Sequence, residues 1–108
     1  EAIRDSGGGI AMLGVDADVF LTDPSVGDLL LVSIMKGIDV AVYEAVMEAA
    51  AGTFDVAPFV GTLENDGVSL SPFHDFESKI NPELPGKLDE IAAAIIEGTI
   101  KVNSPASP

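Results

Sequence analysis

The sequence turns from apolar to acidic within Gly14-Val15-Asp16-Ala17-Asp18, where an apolar run of strand length ends in two carboxylates. A second apolar run leads into Ser33-Ile34-Met35-Lys36, which opens a strongly amphipathic segment. In an open α/β sheet, ligands bind outside the carboxyl ends of the strands, where polar residues follow a buried strand. If the two runs form neighbouring strands, Asp16 and Lys36 lie in one crevice. The pattern therefore predicts a binding site that pairs an acid with a lysine.

The rest of the chain is typical of strands followed by helices. Residues 10–15 and 29–32 are apolar without alternation, as in strands that are buried on both faces of a parallel sheet. A helix is predicted to enter at Ile34, with Ser33 as its cap and Lys36 in its first turn. Its apolar residues recur at helical spacing, which predicts a surface helix with one buried face.

Further predicted elements are the end of a helix at residues 1–6, a hairpin joining residues 59–63 to residues 68–70, a helix from about Pro82 or Leu84 to Glu97, an edge strand at residues 99–102 and a disordered tail at residues 103–108. Together these elements predict the α/β class, with a three-layer parallel sheet of about five strands. A chain that opens with the end of a helix is expected to be a piece of a longer protein.

The composition excludes several classes of partner and site. Acidic residues outnumber basic ones 18 to 5, and the net charge is −13. Binding to nucleic acid or to anionic lipid requires clustered lysine and arginine, so neither is expected. The chain has no cysteine, which excludes disulfides and thiolate metal sites. A surface of this charge favours solubility and suits a salty medium.

Asp16 and Asp18 allow more than one interpretation. Either carboxylate could cap a nearby turn, which is a common structural role for aspartate. A calcium loop is not favoured, because Phe20 and Leu21 stand where such a loop needs an oxygen ligand and a glycine. An acid pair for glycoside hydrolysis is not favoured either, since residues two apart rarely flank a bond from opposite sides.

Lys36 and His74 are the other polar side chains that could carry chemistry. Lys36 is either an ordinary surface lysine or a donor to a ligand hydroxyl or a neighbouring aspartate. His74 could pair with Asp75 as a general base, but no second histidine or cysteine completes a metal site. No nucleophile motif accompanies it, so we do not expect an enzyme.

Four motifs occur in an order that resembles one protein family. They are Gly-Val-Asp-x-Asp at 14–18, Ser-x-x-Lys-x-x-Asp-Val-Ala-Val-Tyr at 33–43, Gly-x-x-x-x-Asp-Gly-Val at 61–68 and Gly-Thr-Ile-Lys-Val at 98–102. Together they are similar to the C-terminal part of basic-membrane-protein-type lipoproteins. These are substrate-binding proteins of ABC transporters and include the purine nucleoside receptors.

The resemblance implies the C-terminal portion of a bilobed periplasmic-binding-protein fold of type I, which closes on its solute by a hinge. Residues 1–57 would then supply strands and a helix of the ligand lobe, residues 58–102 the hinge-proximal strands and the C-terminal helix, and 103–108 the tail. It also implies that Asp16 and Lys36 bind the hydroxyls of a ribose, with Asp18 on the same wall of the cleft.

The same resemblance implies a mode of action. The complete protein would be a monomer, anchored by lipid outside the cytoplasm, that binds a nucleoside or another ribose-bearing solute and delivers it to an ABC permease. It would use no catalytic residue, no metal and no cofactor. An alternative of a different class is a ligand-sensing regulatory domain with the same fold.

Overall fold

The computed structural model describes residues 2–104, which form short helices around a small mixed sheet. The strands are β1 (Met12–Asp16), β2 (Leu30–Lys36) and β3 (Val68–Leu70). The helices are α1 (Ala2–Asp5), α2 (Val19–Thr22), α3 (Ile38–Ala51) and α4 (Leu84–Ile96), with 3₁₀ turns at Pro24–Val26 and His74–Phe76. The predicted helix end at the start of the chain and the predicted last helix are both present. Most of the predicted tail, residues 105–108, lies outside the described residues.

The sheet has the order β1-β2-β3, with β1 parallel to β2 and β3 antiparallel to it. The parallel pair was predicted, and its register sets Asp16 beside Met35. Residues 68–70 were predicted as a strand, paired in a hairpin with residues 59–63, but their antiparallel pairing with β2 was not predicted. The chain leaves β2 at Lys36, and it returns to the same end of the sheet, where Val68 lies opposite Lys36. A strand that starts where its neighbour ends must run in the opposite direction.

The predicted start of the central helix is wrong. Strand β2 continues through Ser33 to Lys36, and α3 begins only at Ile38. Ser33 does not cap α3, because its side chain is fully buried and its Oγ accepts a hydrogen bond from the amide of Val19, the first residue of α2, at 3.1 Å. Lys36 is therefore the last residue of a strand, not a residue in the first turn of a helix.

Two short strands predicted in the second half are absent from the part of the chain that the structure describes. The stretch 59–63 is irregular, although the turn after it forms around Asn65, whose side chain bonds the backbone of Thr62, Gly67 and Val60. The stretch 99–102 turns back onto α4. Within it, the Thr99 hydroxyl and the Ile100 amide both donate to the Ala94 carbonyl. A carbonyl of the last helical turn, where carbonyls lack partners within the helix, thus accepts the bonds of this segment in place of a neighbouring strand.

The core is very small. Among residues 2–104 the buried apolar side chains are Leu30 and Val32, both on β2. The expectation that β1 is buried on both faces is wrong for this chain, since Leu13 is 57% exposed. The apolar stripe of α3 is also open to solvent, and Val46 is 59% exposed. No helix in the described range has the length and apolar character needed to cross a membrane.

Candidate functional site

The structure brings together the two residues that the sequence placed at neighbouring strand ends. Asp16 ends β1 and Lys36 ends β2, and the parallel register puts these ends side by side. The Lys36 Nζ lies 2.6 Å from the Asp16 Oδ1. Both side chains are more than half exposed, at 59% for Lys36 and 63% for Asp16. An ion pair this exposed contributes little to stability. Because both side chains are exposed, their polar atoms are accessible to a ligand.

The backbone at Asp16 is unusual. Its φ angle is 81°, a left-handed conformation that disfavours most residues with a side chain. Asp66 (φ 56°) and His74 (φ 45°) share this property, and all three lie in or beside one cleft. Strained residues of this kind persist where surrounding contacts over-determine them, and they cluster at functional sites.

The cleft is a hollow of about 430 Å³ at the carboxyl ends of β1 and β2. Known small-molecule sites occupy about 300–1,000 Å³. Its walls are formed by the end of β1, the end of β2, the first turn of α3, the turn before β3 and β3 itself. The lining residues are Asp16, Ala17, Asp18, Met35, Lys36, Gly37, Ile38, Asp39, Val40, Asp66 and Ser69. The sequence analysis missed Asp39, Asp66 and Ser69. Only Asp66 carried a signal, because it belongs to the predicted Asn-Asp-Gly turn, but that turn could not be located relative to the strand ends.

The cleft is acidic and also receives the start of a helix. Asp16, Asp18, Asp39 and Asp66 line it, against the single ammonium group of Lys36. The N-terminus of α3 opens into the same space, and its N-cap, Gly37, offers no side chain to the free amides. The arrangement thus combines hydrogen-bond acceptors with an ammonium donor and backbone donors. Such a set suits a hydroxyl-rich ligand, because each hydroxyl both donates and accepts.

Gly37 is required for the shape of this corner. A side chain at this position would run into the backbone carbonyl of Asp66, and the Gly37 amide donates to the Gly67 carbonyl at 3.0 Å. This close approach of two backbone segments brings the turn that carries Asp66 against the start of α3. The wall formed by the turn before β3 is thereby joined to the wall formed by the first turn of α3.

Asp18 also borders the cleft, but its carboxylate is held by the protein. Its Oδ1 accepts from the Phe20 amide at 3.1 Å and so caps α2, as the turn-capping interpretation predicted. Its Oδ2 lies 2.8 Å from the Nε2 of His74, and the ring of His74 stacks on that of Phe20 with centroids 4.0 Å apart. The candidate partner of His74 was its neighbour Asp75. In the structure the imidazole bonds Asp18 instead.

Nothing in the described residues resembles a metal centre. Between residues 2 and 104, no three histidine, cysteine or acidic side chains are grouped closely enough to hold an ion. Asp16, Asp39 and Asp66 stand on different walls of the cleft. They are therefore suited to separate polar atoms of one ligand.

Comparison with solved structures identifies the fold. The chain is similar to an ABC transporter solute-binding protein from Aeropyrum pernix K1, with a TM-score of 0.73 and 22% sequence identity. The match covers 96% of this chain and 35% of that protein, so the chain spans about a third of its length. No family model matches the sequence, and no curated protein does. The chain therefore has an α/β fold that corresponds to part of a solute-binding protein.

Proposed function

We propose that this chain forms one wall of the ligand cleft in a solute-binding protein that serves an ABC transporter outside the cytoplasm. The observation that carries the proposal is the exposed Asp16–Lys36 pair at adjacent strand ends, inside a cleft of the right size. The similarity of fold to a solute-binding protein supports it. A receptor of this kind binds reversibly and passes its solute to a membrane permease, without a chemical step.

The proposed solute is a nucleoside or another ribose-bearing molecule. Vicinal ribose hydroxyls present two donors to one carboxylate, and Asp16 offers two acceptor oxygens. The Lys36 ammonium then donates to the hydroxyl oxygens. Asp18 would border the sugar from the same side. This assignment rests on the chemistry of the pair and on the resemblance of the ordered motifs to basic-membrane-protein-type lipoproteins. The same resemblance suggests a lipid anchor and a monomeric complete protein.

The test is a titration of the isotope-labelled 108-residue chain, followed by NMR. Adenosine, inosine, uridine and free D-ribose are added, and amide shifts report both the affinity and the location of binding. One wall of a cleft binds weakly, and shift perturbation measures affinities in the millimolar range. We expect saturable shifts at residues 16–18 and 36–39 with at least one nucleoside. Absence of binding across the panel would remove the nucleoside assignment.

The residue assignment is tested by Asp16→Asn, with Glu83→Gln as the matched control. Glu83 forms an exposed ion pair with Lys87 at 3.5 Å, far along the chain from the cleft, and so reports the general effect of losing one surface charge. Loss of a charged hydrogen bond to the ligand is expected to cost on the order of 2 kcal/mol in Asp16→Asn. The control should bind as the parent does. Equal affinity in both variants would contradict the role of Asp16.

A further inference from the structure

The loop that follows β1 is held from outside the sheet by a distant segment of the chain. His74 lies 56 positions after Asp18, and its Nε2 is 2.8 Å from the Asp18 Oδ2. The imidazole also stacks on Phe20 with an angle of 6° between the rings. The side chains of His74 and Asp18 are mostly buried, at 18% and 12% exposed. Asp16, by contrast, is open to solvent two residues before the held position.

Asp18 has no oxygen atom left without a partner. One oxygen caps α2 through the Phe20 amide, and the other meets His74. If the Asp18 carboxylate is ionised, it accepts hydrogen bonds and donates none, and the Nε2 of His74 then carries the proton between the two groups. In that state the hydrogen bond runs from His74 to Asp18.

A second set of hydrogen bonds joins the loop after β1, strand β2 and the segment that begins at Ser71. The Val19 amide, next to Asp18, donates to the Ser33 Oγ, and the Ser33 amide donates to the Ser71 Oγ at 2.9 Å. The Ser71 amide in turn donates to the Ser33 carbonyl at 2.9 Å. The segment that begins at Ser71 is thus bonded to the centre of β2. These bonds fix the backbone at Ser71, three residues before His74, and so help to position the His74 side chain against Asp18.

We infer that His74 is a positioning residue, which acts through Asp18 to hold the loop after β1 and so presents Asp16 to the ligand. The identity of the ligand in this inference rests on the proposed function, whereas the contacts of His74 with Asp18 and Phe20 do not depend on it. Two residues with a left-handed backbone flank this connection: His74, which makes the bond to Asp18, and Asp16, two residues before Asp18. The inference also gives Asp18 an indirect role in binding.

The first test uses the unmodified chain. Nitrogen-15 NMR of the imidazole distinguishes a protonated from an unprotonated Nε2. We expect Nε2 to carry a proton near neutral pH, with slowed exchange of that proton. A neutral ring protonated at Nδ1 alone would overturn the inference, because Nε2 could then not donate to Asp18.

The second test compares His74→Leu with His74→Gln by backbone relaxation. Leucine removes the donor, whereas the glutamine amide can still donate to Asp18. We expect the order parameters of residues 16–18 to fall from about 0.85 toward 0.6 or below in His74→Leu. Residues 30–32 should remain rigid, and His74→Gln should retain ordered values at 16–18. Unchanged order in His74→Leu, or equal loss in both variants, would overturn the inference.

The same variants separate this inference from the proposed function. In the nucleoside titration, His74→Leu should bind about tenfold more weakly and His74→Gln nearly as well as the parent, as for other residues that orient a contacting group. If no nucleoside binds, the nucleoside assignment fails, while the order parameters still decide the role of His74. If a nucleoside binds equally to all three proteins, the positioning role fails and the receptor function stands.

Discussion

Replacing Ser33 with alanine is expected to destabilise the fold through one specific atom. Ser33 is fully buried in β2, and its Oγ accepts from the Val19 amide at 3.1 Å. The Ser33 amide, which donates to the Ser71 Oγ, and the Ser33 carbonyl, which accepts from the Ser71 amide, do not involve the Ser33 hydroxyl, so both bonds are expected to persist in the variant. Ser33→Ala therefore removes one acceptor and leaves one backbone donor, that of Val19, without its partner.

The cost follows from where that donor lies. An unsatisfied buried donor costs about 1–3 kcal/mol. Val19 is only partly buried, and water can reach its amide in part. We therefore expect the free energy of unfolding to fall by about 1–2 kcal/mol, the lower half of that range. With a urea dependence of about 2 kcal/mol per molar, the midpoint should move down by about 0.5–1 M.

The assay is urea unfolding followed by circular dichroism, with Ser25→Ala as the matched control. Ser25 also bonds through its hydroxyl, to Asp23 Oδ1, but it is exposed. Its replacement should change the free energy of unfolding by less than about 0.5 kcal/mol. Equal midpoints for Ser33→Ala and the parent would refute the reasoning, because they would show that the Val19 amide needs no protein acceptor.

Other expected effects concern backbone conformation, acid and salt. Gly52 ends α3 at φ 73°, so Gly52→Ala should lower the free energy of unfolding by about 1 kcal/mol. Gly86 lies inside α4 with open space around it, so Gly86→Ala should raise it by about 0.5–1 kcal/mol. Urea unfolding measures both, and shifts in the same direction would contradict the argument. The Arg4 hydrogen bond lowers the pKa of Asp28 below its usual 3.8, so the stability contributed by this pair is complete above 3.8 and is lost as pH falls through the lowered pKa. Arg4→Met should lose less stability over that acid range, as followed by circular dichroism, and an unchanged acid profile would refute this. Added salt should raise the urea midpoint by screening the net charge of −13, and an unchanged midpoint would refute that.

Sequence reasoning succeeded where a pattern is local. The apolar run before Asp16 predicted β1, and the spacing of apolar residues predicted α4 almost to its ends. The pairing of Asp16 with Lys36 followed from a rule for parallel sheets, and it held although Lys36 was assigned to the wrong element. The rule requires only that two strands end side by side. The predicted proximity of Asp16 and Lys36 was therefore unaffected by an error of a few residues in the start of the helix.

Sequence reasoning failed where a hydrogen bond to another element chooses between local alternatives, whether its partner is far along the chain, as for Ser33, or close to it, as for residues 99 and 100. Serine is a common N-cap residue, but the Ser33 hydroxyl accepts a hydrogen bond from the Val19 amide, and strand β2 continues through Ser33. Residues 99–102 are apolar enough for a strand, but the end of α4 binds them first. In both cases the competing partner forms a hydrogen bond that the local pattern cannot reveal.

The sequence by itself determined the two parallel strands, the helices α3 and α4, the acidic character of the chain and the placement of an acid and a lysine near neighbouring strand ends. These properties depend on side-chain type and on spacing along the chain. Only the tertiary structure decided that Asp66 and Asp39 share the cleft, that β3 runs antiparallel and that His74 bonds Asp18 instead of its neighbour Asp75. Each of these depends on contacts between segments far apart in sequence, and spacing along the chain does not specify such contacts.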